Sequence, residues 1–216
     1  VEDAGGRIEI AEVAEPLRER GALVGVRGAD GREHRAGKVV LAAGAWSAAG
    51  WLPEAARPPI RPVKGQVLTL RGPASEPVCE RIVVTERVYI VPRGDGRLIV
   101  GATVEEQGFD TRVTAGGVHE LLREAYRVLP EVAELELVEA LAGLRPTTPD
   151  NLPLIGPGAI DGLVLATGHF RNGILLAPLT AERIADTLAG SSGTGPPDGA
   201  PAASRNLRRI REAVRR

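Results

Sequence analysis

Hydrophobic and polar positions along this chain fall into two periods, and the switch between them lays out the elements. RIEIAEVAEPL (7–17) and ALVGVRG (22–28) read as strands separated by a charged turn, and ADG (29–31) makes a second turn. KVVLAAG (38–44) is continuously apolar and has the β-branched density of a strand buried on both faces, as in a parallel sheet. Residues 7 to 37 therefore predict an antiparallel meander leading into that strand. Pro53, Pro58, Pro59 and Pro62 rule out regular structure in the next segment. Four strand-like runs follow: PVKGQVLTLRG (62–72), RIVVTE (81–86), VYIVPR (88–93) and RLIVGATVEE (97–106). RGDGR (93–97) closes a hairpin, and because strand rather than helix follows it, a phosphate-binding loop is the weaker reading.

The period then lengthens. VHELLREAYRVL (118–129) carries apolar residues at helical spacing and ends at Pro130. ELVEALAGLRP (136–146) predicts a strand, GLVLATGH (162–169) a second buried strand, and GILLAPLTAERIADTLAG (173–190) a helix stopped by Gly190. SSGTGPPDGAPAAS beyond it has linker composition. The end, RNLRRIREAVRR, reads as a solvated, frayed helical tail in preference to a docking site for an acidic partner. No internal repeat is found. Buried parallel-type strands thus lie near both ends, with a mostly antiparallel insert and one helix between them. That pattern predicts an α/β chain, α+β overall, in which one domain is left and re-entered.

Composition narrows the functional classes. The 216 residues suffice for one large or two small domains, and 43% apolar with 25% charged residues is a globular composition. A net charge of −1 argues against a nucleic-acid partner. No apolar run reaches membrane-spanning length and no leader opens the chain, so no membrane partner is expected. Cys79 stands alone, which excludes a disulfide framework and fits a cytoplasmic setting. No metal site is read. Met is absent even at position 1, which leads us to expect that the chain begins inside a longer polypeptide. Lys38 and Lys64 are the only lysines among 27 cationic residues, so an arginine carries little functional weight by type alone, while Lys64 stands out without an assignable role.

One stretch asks for more than a structural reason. GHFRNGILLAP (168–178) runs a strand end straight into an apolar helix start through two glycines, an arginine and an amide. A helix N-terminus presents N–H groups and partial positive charge, and so suits an electron-rich ligand. Three other stretches accompany it: VVLAAGAWS (39–47), VYIVPR (88–93) with its tyrosine, and AGLRPTTPDNLPLIGP (142–157) with an arginine before a Thr-Pro-Asp turn.

Together, in this order and spacing, these stretches resemble the D-amino-acid oxidase-like flavoproteins, most closely the glycine oxidases of thiamine biosynthesis, over about residues 5–189. The resemblance implies a partial FAD-binding Rossmann-type domain with an inserted, mostly antiparallel substrate domain. Residues 1–48 and 142–189 would belong to the FAD-binding domain, 49–141 to the substrate domain, and 190–216 to a flexible tail. It implies that His169, Phe170, Arg171, Asn172, Gly173, Ile174 and Leu175 form the flavin-facing turn, approached from the other strand by Gly44 and Trp46. Arg145 would anchor the substrate carboxylate through its planar fork. The Tyr89 hydroxyl would donate to the same carboxylate, and Arg171 would lie at the substrate or flavin edge. His169 is expected as a positioned cap residue and not as a general base. No side-chain base is required, so no catalytic residue is named.

The implied function is FAD-dependent oxidative deamination of a small amino acid or amine, such as glycine, sarcosine or a D-amino acid. Its products would be an oxo acid, ammonia and hydrogen peroxide. Relatives that hold flavin covalently carry a cysteine where this chain has Gly143, so noncovalent FAD is expected. The Gly-x-Gly-x-x-Gly segment that holds the pyrophosphate in the family is absent. The expected partners are therefore a small amino acid and a missing N-terminal segment of the same protein, without which this stretch would be inactive. The resemblance also allows a homo-oligomer. Two alternatives stay open: a dehydrogenase or sarcosine oxidase-type relative, and a noncatalytic, truncated binding module.

Overall fold

The computed structural model describes residues 1–48 and 50–190, and the chain packs as two compact units. Among the described residues, Val1–Arg61 and 146–190 form the first unit, and Pro62–Arg145 the second. These compact units divide at 61/62 and 145/146, whereas the expected domain boundaries were 48/49 and 141/142. The linker and Arg-rich tail expected over 190–216 lie, beyond residue 190, outside the described residues.

In the first unit β1 (Val13–Glu19), β2 (Ala22–Gly28) and β3 (Glu33–Arg35) form the antiparallel meander. Its start is corrected: residues 7–12 are exposed and outside any strand, because the pairing with β2 begins at Val13↔Gly28. Exposed ion pairs lace the sheet, with Arg27 reaching both Glu15 and Glu33 at 2.8 Å. A second sheet has the order β10-β11-β4, from β10 (Leu154–Pro157), β11 (Leu163–Thr167) and β4 (Val39–Leu41). β4 and β11 pair in parallel, with Leu41 opposite Leu165. The doubly buried run expected over 38–44 is shorter and half-open. Only 39–41 is strand, Val40 is 38% exposed, and a 3₁₀ turn follows at Gly44–Ala48. Leu23, Leu41, Leu52, Ala56 and Leu163 make this unit's core, and the helix α2 (Gly173–Leu188) packs on β10 and β11. Leu52 and Ala56 come from the proline-punctuated segment, and the expectation of no regular structure there is corrected: Pro53 stands at the N-cap of a short 3₁₀ turn at Glu54–Ala56, a place proline tolerates.

The second unit is a five-stranded sheet of order β6-β7-β8-β5-β9 with the helix α1 (Ala115–Val128) on one face. β5 spans Arg61–Arg71, β6 Val83–Val84, β7 Tyr89–Pro92, β8 Arg97–Gly101 and β9 Glu136–Thr147. The strand expected through residue 106 stops at Gly101, where the β5 register shifts from Val67↔Gly101 to Lys64↔Glu105, one residue out of step. Side chains alternate across a strand. Leu68, Leu70, Ile90, Leu98 and Val100 therefore share one face, closed by Leu121 and Ala125 of α1. α1 starts three residues earlier than its apolar spacing predicts. Thr114 caps it by accepting from the Gly117 N–H at 3.1 Å, and the two glycines of the first turn conceal the start. Gly117 is required by packing, since a Cβ there would meet the amide of Gln66.

Candidate functional site

The helix entry that drew attention in the sequence lies at the carboxyl ends of the parallel pair β4/β11. Ligands in α/β sheets gather at such strand ends. The Thr167 hydroxyl at the end of β11 lies 2.7 Å from the Ser47 hydroxyl and donates to the Gly44 carbonyl at 3.2 Å. These buried contacts hold the Gly44–Ala48 turn against the strand from which residues 168–173 depart. The Phe170 N–H donates to the Pro146 carbonyl at 2.9 Å, and the Asn172 N–H to the His169 carbonyl at 2.9 Å, which fixes the path of the turn. Phe170 adopts φ 48° and Gly168 φ 78°, so the chain reverses through left-handed positions before α2 begins.

His169 is placed differently from expectation. Its Nε2 lies 2.9 Å from the Thr180 hydroxyl, two turns into α2, so the ring braces the helix body and does not cap its end. Burial holds its pKa below the ordinary histidine value. Asn172 occupies the N-cap position, yet its side chain makes no capping bond. A helix start leaves its first N–H groups without intrahelical partners, and here the surface beside them is apolar. Ile174 is 94% and Leu175 69% exposed, and Trp46 is 54% exposed on the neighbouring turn. A Cβ on Gly173 would meet nothing nearer than the His169 Cβ at 3.8 Å, so the helix start is open on that side. Arg171 is exposed on the same turn. Backbone donors beside an apolar shelf fit a flat, electron-rich ring such as a flavin.

In the second unit the other two sequence-selected residues share a face. Tyr89 pairs with Gly101, which pairs in turn with Val67, two residues from Gly65. A Cβ on Gly101 would collide with the Tyr89 ring, and one on Gly65 would collide with the Arg145 guanidinium. Tyr89 and Arg145 thus both lie on the face opposite α1, each resting on a glycine. Arg145 Nη1 donates to the Lys64 carbonyl at 3.2 Å and to the Thr103 carbonyl at 3.1 Å. Both carbonyls flank the place where the β5 register slips, and the Lys64 carbonyl accepts from Arg145 in addition to its ladder bond from the Glu105 N–H.

A polar cluster that sequence reasoning did not assemble lies behind this seat. Lys64 is 1% exposed, and its Nζ lies 3.5 Å from Glu105 Oε2. Glu105 Oε1 accepts from Gln66 Nε2 at 2.7 Å and from the Thr103 hydroxyl. Gln66 also donates to the Thr114 hydroxyl at 3.1 Å and accepts from the Thr114 N–H at 2.9 Å. Burial alone would push the Glu105 carboxyl up, but hydrogen bonds from Thr103 and Gln66 and the charge of Lys64 outweigh it and hold the group below its ordinary value. The only available signal was Lys64 itself, a lysine in an arginine-biased chain.

A family model described as FAD dependent oxidoreductase matches residues 1–187. The chain is 41% identical over 183 residues to a glycine oxidase of Pseudomonas aeruginosa, covering 84% of this chain and 50% of that protein. It is 44% identical over 174 residues to the bifunctional protein ThiO/ThiG of Nostoc, covering 80% of this chain and 26% of that one. The crystal structure of a glycine oxidase from Bacillus cereus superposes with a TM-score of 0.76 at 33% identity, covering 85% of this chain and 51% of the other. The chain therefore spans about half, or less, of the length of these relatives.

Proposed function

The chain belongs to the FAD-dependent oxidoreductase family, and from that premise we propose that it forms the substrate side and the flavin-ring side of a glycine oxidase-type enzyme. The activity proposed for the whole protein is oxidative deamination of a small amino acid to an oxo acid, ammonia and hydrogen peroxide. The observation that carries this reading is the pair formed by Arg145 and Tyr89 on one glycine-floored face of the sheet. A fixed guanidinium with a phenol on the same face is a receptor for a carboxylate.

FAD, held noncovalently, supplies the oxidant for an amine α-carbon when bound. The residues proposed to hold its ring are His169 through Leu175 by their backbone, with Gly44 and Trp46 from the neighbouring turn. The N-terminus of α2 favours negative charge on the ring, by partial charges that are already aligned. Gly173 lets the backbone approach, and Ile174, Leu175 and Trp46 exclude water from the ring. Arg145 and Tyr89 orient the substrate by its carboxylate, which leaves the amine and α-hydrogen to be presented by position. The chain's contribution to rate is then mainly orientation and electrostatics, with no side-chain base assigned. Arg171 is proposed at the substrate or flavin edge. The likeness to ThiO and to glycine oxidases supports glycine as the first substrate to try and thiamine biosynthesis as the setting.

The test uses the complete holoprotein. Arg145→Ala should lower kcat/KM for glycine by about ten- to a hundredfold, since a charged hydrogen bond is worth roughly 1.5–3 kcal/mol. Most of the loss should appear in KM, with flavin content unchanged. Arg145→Lys should recover only part of it, because an ammonium lacks the fork. Unchanged kinetics on every small amino acid tried, in a fully loaded Arg145→Ala protein, would place the carboxylate elsewhere.

A further inference from the structure

Arg145 donates to two carbonyls, and the residues that own them, Lys64 and Thr103, both belong to the buried cluster on the far side of the strands. Lys64 Nζ pairs with Glu105 Oε2, and the Thr103 hydroxyl donates to Glu105 Oε1. The backbone is tied in the same place. The Lys64 N–H donates to the Glu105 carbonyl at 2.9 Å and the Glu105 N–H to the Lys64 carbonyl at 3.0 Å. The Gln66 N–H does not donate to a carbonyl of the ladder but to the Thr103 hydroxyl at 2.8 Å. One carboxylate therefore contacts the side chains of both residues whose carbonyls Arg145 reads.

A regular ladder would not need such a brace. Across the one-residue slip between Val67↔Gly101 and Lys64↔Glu105 the Thr103 N–H still donates to the Gln66 carbonyl at 3.2 Å, and the Gln66 N–H is the one left to a side-chain hydroxyl. A buried ion pair is seldom retained for stability, because desolvation offsets most of its attraction, whereas it does specify one geometry. Here the geometry it specifies is the seat of the guanidinium.

We infer that Glu105 and Lys64 are positioning residues for carboxylate recognition: across the β5–β8 slip they set the two carbonyls that aim Arg145. The inference rests on the proposal that Arg145 binds the substrate carboxylate. Neither residue touches the ligand in this scheme; both act through Arg145.

The experiment is an acetate titration of the complete FAD-loaded protein, followed by the flavin absorbance change and by competition against glycine. Glu105→Gln should weaken acetate about tenfold, a partial loss of the charged contact. Because that variant leaves Lys64 buried without its counter-charge, a second variant, Lys64→Met with Glu105→Gln, removes both charges together and should show the same weakening. The discriminating measurement is a cycle with Arg145→Ala. If Glu105 acts through Arg145, Glu105→Gln should change acetate affinity by less than about twofold once Arg145 is gone. A weakening that persists undiminished in the Arg145→Ala background would overturn the inference, as would wild-type acetate affinity in both charge-removed variants. If Arg145→Ala itself leaves acetate binding intact, the anchor reading has failed first, and that outcome is separate from the other two.

Discussion

Gly65→Ala displaces the proposed anchor without deleting it. A Cβ at residue 65 would fall on the Arg145 guanidinium, on Cζ and both terminal nitrogens. Gly65 has no left-handed φ, so alanine fits the backbone, and the group in its way is the far end of a flexible side chain. The strand should therefore persist while the guanidinium leaves the Lys64 and Thr103 carbonyls. Arg145 is only half-buried, so the freed group regains water and the two bonds are worth about half the low end of the charged range each, about 1.5 kcal/mol together. Alanine restricts the unfolded chain and returns about 0.4–1 kcal/mol. The net destabilisation is then about 1 kcal/mol or less, a Tm shift of roughly 2–4 °C for a chain of this size. Substrate recognition should respond far more strongly, because a displaced fork cannot meet a carboxylate bidentately, and acetate affinity should fall at least about tenfold. Thermal unfolding and an acetate titration of the same holoprotein measure the two quantities. Wild-type acetate affinity, or a Tm loss well beyond about 6 °C, would refute the reasoning: the first because Arg145 would not need its seat, the second because Gly65 would be packing the core.

Other outcomes follow from the same contacts. Gly173→Val should impair flavin retention, since a branched side chain would fill the open side of the α2 start; flavin retained through dialysis as in the unaltered protein would contradict this. Thr114→Ala removes the α1 cap and a partner of Gln66, and should cost about 1–2 kcal/mol by chemical denaturation. Leu121→Ala should cost about 2–5 kcal/mol, because Leu121 closes the α1 face of the second unit's core. His169 has a folded pKa below its unfolded value, so its contribution should be complete above about pH 6.5 and lost as pH falls toward the folded pKa. His169→Asn should flatten the stability–pH curve between about pH 5 and 7, and an unchanged slope would exclude it as the source.

Legibility of the chain followed the physics of each element. Strand-like runs bounded by turns announced themselves, which is why β5, β7 and β9 stand close to their expected places; alternation sets Tyr89 opposite the buried Val88 and Ile90. β3 and β10 were not read, because runs of three and four residues carry too little period to register. The first turn of α1 escaped because its signal is a cap and two glycines instead of apolar spacing. At residues 7–12 alternation was present without a partner strand, and pairing decides where a strand begins. Arg145 was visible through its neighbours in the sequence, but its seat was not. Lys64, Gln66, Thr103, Glu105 and Thr114 are far apart in the sequence, and no local pattern encodes a meeting between residues 66 and 114.

The sorting of side chains along β5 has an experimental signature of its own. Gln66, Leu68 and Leu70 are buried on the α1 side, whereas Gly65, Val67 and Thr69 lie on the other. In a library carrying every single substitution through this strand, selection for folding alone should deplete the even positions. Selection for turnover should deplete Gly65 as well, although its variants remain folded. Subtracting one map from the other would leave Gly65 standing out against its even-numbered neighbours. A single-residue deletion in β5 would exchange the two sets and fail both selections.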